Sequence, residues 1–142
     1  MQKDRKMEIS RIDDEDFKEI IKNLAKYDDY WTEANYISAY NSPHIYIYKL
    51  PELKGYIILE NEMDLVTIQN IVVKKSERGK GFANILIEKA LDMIDKDRVL
   101  LEVNEKNYIA ISLYEKHGFK KISERKKYYG QDSAIIMEKR FK

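Results

Sequence analysis

The chain has 142 residues, no cysteine, two histidines and a formal net charge of +1, with 44% apolar and 36% charged residues. This is enough chain for one domain with a real core, and it excludes a disulfide scaffold, a thiolate metal site and a histidine-rich metal site. No apolar run approaches membrane-spanning length, and the charged start from Met1 to Lys6 has no apolar signal core, so a cytoplasmic protein without a membrane partner is expected.

Met7 to Ile12 reads as a short strand. Asp13 to Asp16 is an acidic helix entry, with Phe17, Ile20, Ile21 and Leu24 on one side. Thr32 to Tyr40 reads as a second short helix. Strands are expected at His44–Leu50, Gly55–Leu59 and Leu65–Val73. A helix opens at Phe82, because Ala83, Leu86, Ile87, Ala90, Leu91 and Ile94 recur at helical spacing. A strand at Val99–Val103, a helix from Asn107 to Lys116 stopped by Gly118, and strands at Lys121–Tyr128 and Ser133–Lys139 complete the chain. No repeat or linker divides this α/β order, so one domain over 1–142 is expected.

The junction from Asn70 to Ala90 carries the strongest signal. The apolar run Asn70-Ile71-Val72-Val73 meets a charged loop, Lys74 to Gly81, that feeds the helix at Phe82. The loop Arg78-Gly79-Lys80-Gly81-Phe82-Ala83 offers backbone N–H groups at a positive helix end, which suits a pyrophosphate. It is not a nucleoside-triphosphate loop, since no Ser or Thr follows Lys80. It is not a dinucleotide fingerprint either, since Asn84 stands where a third glycine is needed. Charge is also uneven: residues 1–71 hold 9 Lys/Arg and 14 Asp/Glu, and residues 72–142 hold 17 and 11. That split reads as ordinary solvated surface, or as a basic half for a polyanion beside an acidic half for a cationic amine. The basic residues are scattered and accompany no recognition motif, so no nucleic-acid partner is expected.

Arg78, Gly81 and Ala83 form an Arg-x-x-Gly-x-Ala pattern that resembles the acetyl-CoA loop of the GCN5-related N-acetyltransferases (GNAT). From Asn70 to Met137 the order is similar to the RimI-type branch, the protein N-terminal alanine acetyltransferases. Leu101-Glu102-Val103, Asn107 with Ala110, Leu113-Tyr114-Glu115-Lys116-His117-Gly118-Phe119, Lys127-Tyr128-Tyr129 and Asp132 to Met137 follow in turn, and Trp31-Thr32-Glu33 resembles a Trp-Ser-Glu early in that branch. The resemblance implies a mixed central sheet of about six to seven strands flanked by about four helices. It also implies acetyl-CoA as co-substrate with no metal, and direct transfer to an amine.

Glu102 sits in an otherwise apolar strand, where desolvation would raise its pKa towards a useful base. The resemblance implies that it takes the amine proton; the alternative is a strand-end glutamate reaching solvent. Asn107, Ala110 or Ile111, and Tyr114 share a helix face. Asn107 would serve the pantetheine amides, and Tyr114 would protonate the departing thiolate unless it merely packs. The resemblance assigns the cofactor to Arg78, Gly79, Lys80, Gly81, Phe82 and Ala83, and to the backbone of Ile71, Val72 and Val73 on a strand that splays from its neighbour. Most tyrosines read as packing with the hydroxyl at the surface. Tyr30, Trp31, Tyr128 and Tyr129 are placed at an acceptor groove. The turn Gly130-Gln131 is shorter than in the best-known members, a departure that bears on acceptor choice. The expected acceptor is a protein N-terminus, with a small-molecule amine as the alternative. A non-catalytic acyl-CoA-binding module is a third reading, and a monomer or homodimer is expected.

Overall fold

The computed structural model describes residues 7–28 and 31–141. Seven strands form one sheet in the order β1-β2-β3-β4-β5-β7-β6. They are β1 (Ser10–Arg11), β2 (Ile45–Lys49), β3 (Gly55–Glu62), β4 (Leu65–Val73), β5 (Arg98–Asn104), β6 (Lys120–Tyr129) and β7 (Asp132–Arg140). Only β4 and β5 run parallel, joined through helix α3 (Phe82–Asp92), as a parallel crossover requires. The expected strand from Met7 to Ile12 shrinks to the two residues that pair with Lys49 and Tyr48 at the sheet edge.

Helix α1 (Asp14–Glu19) starts at a capping box. The Asp13 carboxylate accepts from the Asp16 N–H at 2.8 Å, and Asp16 accepts from the Asp13 N–H at 3.0 Å. It then widens into a π turn over Ile20–Leu24, which puts both Ile20 and Leu24 into the core. Helix α2 (Glu33–Tyr40) repeats the device, with Thr32 and Asn35 as the reciprocal pair. Helix α4 (Tyr108–Lys116) is capped by Asn107, whose side-chain oxygen accepts from the Ala110 N–H at 3.2 Å. Among the described residues no helix is long and apolar enough to cross a membrane, and no cluster of three side chains could hold a metal ion.

The two faces of the sheet carry separate cores. One packs Leu59, Val66, Val99, Leu101 and Val103 against Leu86, Ile87 and Ala90 of α3 and Tyr114 of α4. The other packs Ile47, Tyr56, Ile58 and Val72 against Ile20 and Leu24 of the π turn and Tyr36 and Ala39 of α2. Strand alternation assigns the sides: Val99, Leu101 and Val103 face α3, and Leu100, Glu102 and Asn104 face the opposite way.

Candidate active site

Strand β4 pairs with β5 only from Leu65↔Arg98 to Ile68↔Leu101, although both strands continue. Beyond that point they part. The cause lies in β4 itself: Ile58 of β3 opposes Asn70 and Leu59 opposes Ile68, so Gln69 is an extra residue. A bulge bends its strand and ends regular pairing, and here it opens a slit through the sheet of about 280 Å³. Ile71, Val72, Val103, Asn104, Asn107 and Tyr114 line it. The strand splay implied by the resemblance is therefore present. Val73 lies outside the lining; its carbonyl accepts from Arg78 Nε at 3.1 Å, which ties the loop to the end of β4.

The loop reaches α3 through two left-handed glycines, Gly79 at φ +80° and Gly81 at φ +82°, with open space where a Cβ would stand. Gly81 occupies the cap position of α3 without a side-chain cap, and the first helical bond runs from the Ile85 N–H to the Gly81 carbonyl at 3.2 Å. That arrangement turns the N–H groups of Phe82, Ala83 and Asn84 out of the helix end, where an anion is favoured. Lys80 pairs with Glu77 at 3.1 Å. The Phe82 side chain is buried in the core, so only its backbone faces the loop.

Asn107 and Tyr114 face the slit together, as their helical spacing predicts. Asn107 uses its side-chain oxygen as the cap and keeps its amide N–H groups for another partner. Tyr114 is buried edge-on against Phe119, with ring centroids 5.9 Å apart. Burial pushes its phenol up to about 12, so it is a protonated donor throughout the neutral range.

Glu102 departs from the expectation of a desolvated carboxylate. It is 30% exposed and forms an ion pair with Arg125 of β6 at 3.1 Å. Val99, Leu101 and Val103 point to the other face of the sheet, where the strand is buried, while Glu102 looks into a basin. This basin, about 650 Å³, lies between α2 and β6 and meets the slit at Trp31, Ile68, Gln69 and Glu102. Trp31 and Tyr128 line it. Tyr30 and the Tyr129 side chain lie outside what the structure describes; the Tyr129 backbone closes β6 opposite Asp132, across the short Gly130-Gln131 turn.

Several site residues escaped the sequence reading. Arg125 is one. Gln69 lines both cavities and donates to Glu60 at 3.1 Å. Asp28 accepts from Tyr36 at 2.7 Å, from Asn70 at 2.5 Å and from the Trp31 N–H at 3.2 Å, and Tyr36 in turn meets Tyr56 at 2.6 Å. The Tyr36 hydroxyl is thus buried rather than at the surface, and burial together with these partners raises its pKa well above the ordinary value. This network ties the segment carrying Trp31 to β4 beside the slit. The one available signal was Asn70, a polar residue within an apolar strand run.

A model of the acetyltransferase (GNAT) family matches residues 7–119. The chain is 33% identical over 93 residues, 61% of its length and 63% of the relative's, to the ribosomal protein bS18-alanine N-acetyltransferase of Escherichia coli (strain K12). It is 35% identical over 98 residues, 63% of its length and 52% of the relative's, to an N-alpha-acetyltransferase of Saccharolobus solfataricus. The matched region thus spans less than two thirds of either relative. The crystal structure of the ribosomal-protein-S18-alanine N-acetyltransferase from Escherichia coli superposes with a TM-score of 0.84 at 25% identity, covering 92% of this chain and 91% of that one.

Proposed function

The chain belongs to the GNAT family of acetyltransferases, and from that premise we propose that it transfers acetyl from acetyl-CoA directly to a primary amine, the α-amino group of a protein N-terminus. The observation that carries this reading is the junction of slit and basin at Glu102. A buried phenol stands on the slit and a carboxylate stands where the two cavities meet. A pure binding module needs the loop and the slit but neither of these groups.

The residues present fit acetyl-CoA. The uncapped start of α3 and the open glycine loop suit its diphosphate. The unpaired edge of β4 at Ile71 and Val72 suits an extended, amide-bearing arm, with Asn107 as a further donor. When bound, acetyl-CoA supplies an activated acetyl thioester. The N–H groups of Gly79 through Ala83 hold negative charge, and backbone donors of β4 stabilise charge developing on the acetyl oxygen. Glu102 accepts a proton from the acceptor ammonium. Tyr114 would give its phenolic proton to the sulfur as the C–S bond breaks, so that CoA leaves as a neutral thiol, and the second proton shed by the acylated nitrogen would restore the phenol.

Two considerations favour an N-terminal acceptor. The relatives' names specify it, and an α-amino group, with a pKa of about 7.7–8.0, loses its proton more readily than lysine at about 10.4. The test is to incubate the protein with acetyl-CoA and a peptide with a free N-terminus. An N-blocked peptide bearing lysine and a set of small amines run in parallel, with CoA release measured and the acetylated atom located by mass spectrometry. Acetyl on the free N-terminus is expected. Acetylation confined to lysine or to small amines would overturn the acceptor assignment, and CoA release with none of them would overturn the transferase.

A further inference from the structure

We infer that Arg125 makes the basin select N-termini followed by an acidic side chain. This rests on the N-terminal acceptor reading above. Arg125 Nη2 lies 3.1 Å from Glu102 Oε1, with its guanidinium 5.3 Å from the centre of the Tyr128 ring, and all three residues line the basin. The Arg125 side chain is 55% exposed, so it is free to swing. It occupies the position towards Glu102 that an acceptor ammonium must take. An ammonium arriving there displaces the guanidinium and leaves it without its carboxylate. An acceptor that brings its own carboxylate exchanges one ion pair for two: ammonium to Glu102, and acid to Arg125.

The geometry of a peptide allows this exchange. Consecutive Cα atoms lie about 3.8 Å apart, so a side chain at the second position lies close to a guanidinium that has just left Glu102. Among the residues that line the basin, Arg125 is the cation, beside the carboxylates of Glu60 and Glu102. Strand β6 is the edge of the sheet, and Lys126 and Lys127, which follow Arg125, are both exposed. Those lysines lie outside the basin lining, so it is the displaced guanidinium that repels an acceptor with Lys or Arg at that position and attracts one with Asp or Glu. The sequence offered the basic half of the chain either as solvated surface or as a site for a polyanion; β6 brings one of its cations, Arg125, to the basin.

The test uses three peptides that differ only at the second residue, Glu, Ala or Lys, with kcat/KM measured for the wild type, Arg125→Lys and Arg125→Glu. The wild type should favour the Glu peptide over the Lys peptide by roughly 5- to 10-fold, the scale of one partly screened pair. Arg125→Lys should keep that order and Arg125→Glu should lose or invert it. The Ala peptide serves as the reference within each protein, so the ratios do not depend on how much of a variant folds. Equal use of all three peptides by the wild type, or a ranking that Arg125→Glu leaves unmoved, would overturn the role of Arg125 while leaving N-terminal acetylation standing. Acetylation of small amines but of no peptide would overturn both.

Discussion

The slit and the basin meet at four residues, yet they are made of different material. The slit is opened by backbone geometry, a bulge at Gln69 and an unpaired strand edge, with Asn107 and one buried phenol on its wall. The basin is a product of side chains, with Glu60, Gln69, Glu102, Arg125 and Tyr128 around its wall. A backbone-built slit suits a ligand that does not vary, because almost any sequence able to fold this way presents the same N–H and C=O groups. A side-chain wall can be rewritten one residue at a time. Cofactor binding and acceptor choice are therefore separable in this molecule, and mutations should sort accordingly.

The sharpest break in that division is expected at Tyr114, a slit residue that acts through its side chain. Tyr114→Phe keeps the ring and its packing on Phe119, so acetyl-CoA should still bind while kcat falls by roughly 10²- to 10³-fold. Single-turnover kinetics beside calorimetry would check it; unchanged kcat would leave Tyr114 a packing residue. The same phenol gives a stability signature. It stays neutral in the folded protein up to about 12 but ionises near its ordinary 10.0 once unfolded. Its contribution is thus complete below about pH 10 and is lost as pH rises towards about 12. Urea midpoints should decline over that window, less steeply in Tyr114→Phe.

Next in size is Glu102→Gln, where the two cavities join. The rate should drop by roughly 10- to 10²-fold at pH values below the acceptor's pKa, and recover as free amine becomes abundant. A deficit constant across pH would mean that Glu102 positions the acceptor instead of taking its proton. Tyr36→Phe tests the tie between the two regions. It removes the hydroxyl shared by Asp28 and Tyr56, and should lower stability by about 1–2 kcal/mol in urea unfolding. It should also raise the acceptor KM more than that of acetyl-CoA, since the tie holds Trp31 on the basin. Equal changes in both would merge the cavities into one unit. The smallest effect belongs to Gly81→Ala. Space is open for the methyl group, but φ +82° is unfavourable for it, so about 1 kcal/mol of stability and a several-fold loss of acetyl-CoA affinity are expected. Calorimetry on the variant would check both.

The same division explains what the chain revealed in advance. Helix α3, strand β4 to the residue and the slit face of Asn107 and Tyr114 were readable, because local periodicity and turn chemistry determine them. The environment of Glu102 was not. Its immediate neighbours Leu101 and Val103 belong to the opposite face, and its partner Arg125 is brought in by β6 across β7, a pairing no local pattern encodes. The Asp28–Tyr36–Asn70 network joins three elements distant in sequence, so each residue read separately as surface or packing.

The bulge at Gln69 also works as a frame shift in the strand. Before it, Val66 and Ile68 point to the α3 side; after it, Ile71 and Val73 do, while Val72 belongs to the core under α2. Regular alternation straight through Gln69, with no bulge, would instead align Val66 and Ile68 with Asn70 and Val72. Deleting Gln69 would thus leave Ile71 and Val73 on the α3 side, in regular alternation with Val66 and Ile68, while removing the bend that parts β4 from β5. In the opposite direction, inserting a single codon in a closed sheet would be enough to create a gap that crosses it. A new binding slot of this kind can arise in one genetic step, with the hydrophobic pattern kept on both sides because the bulge absorbs the added residue.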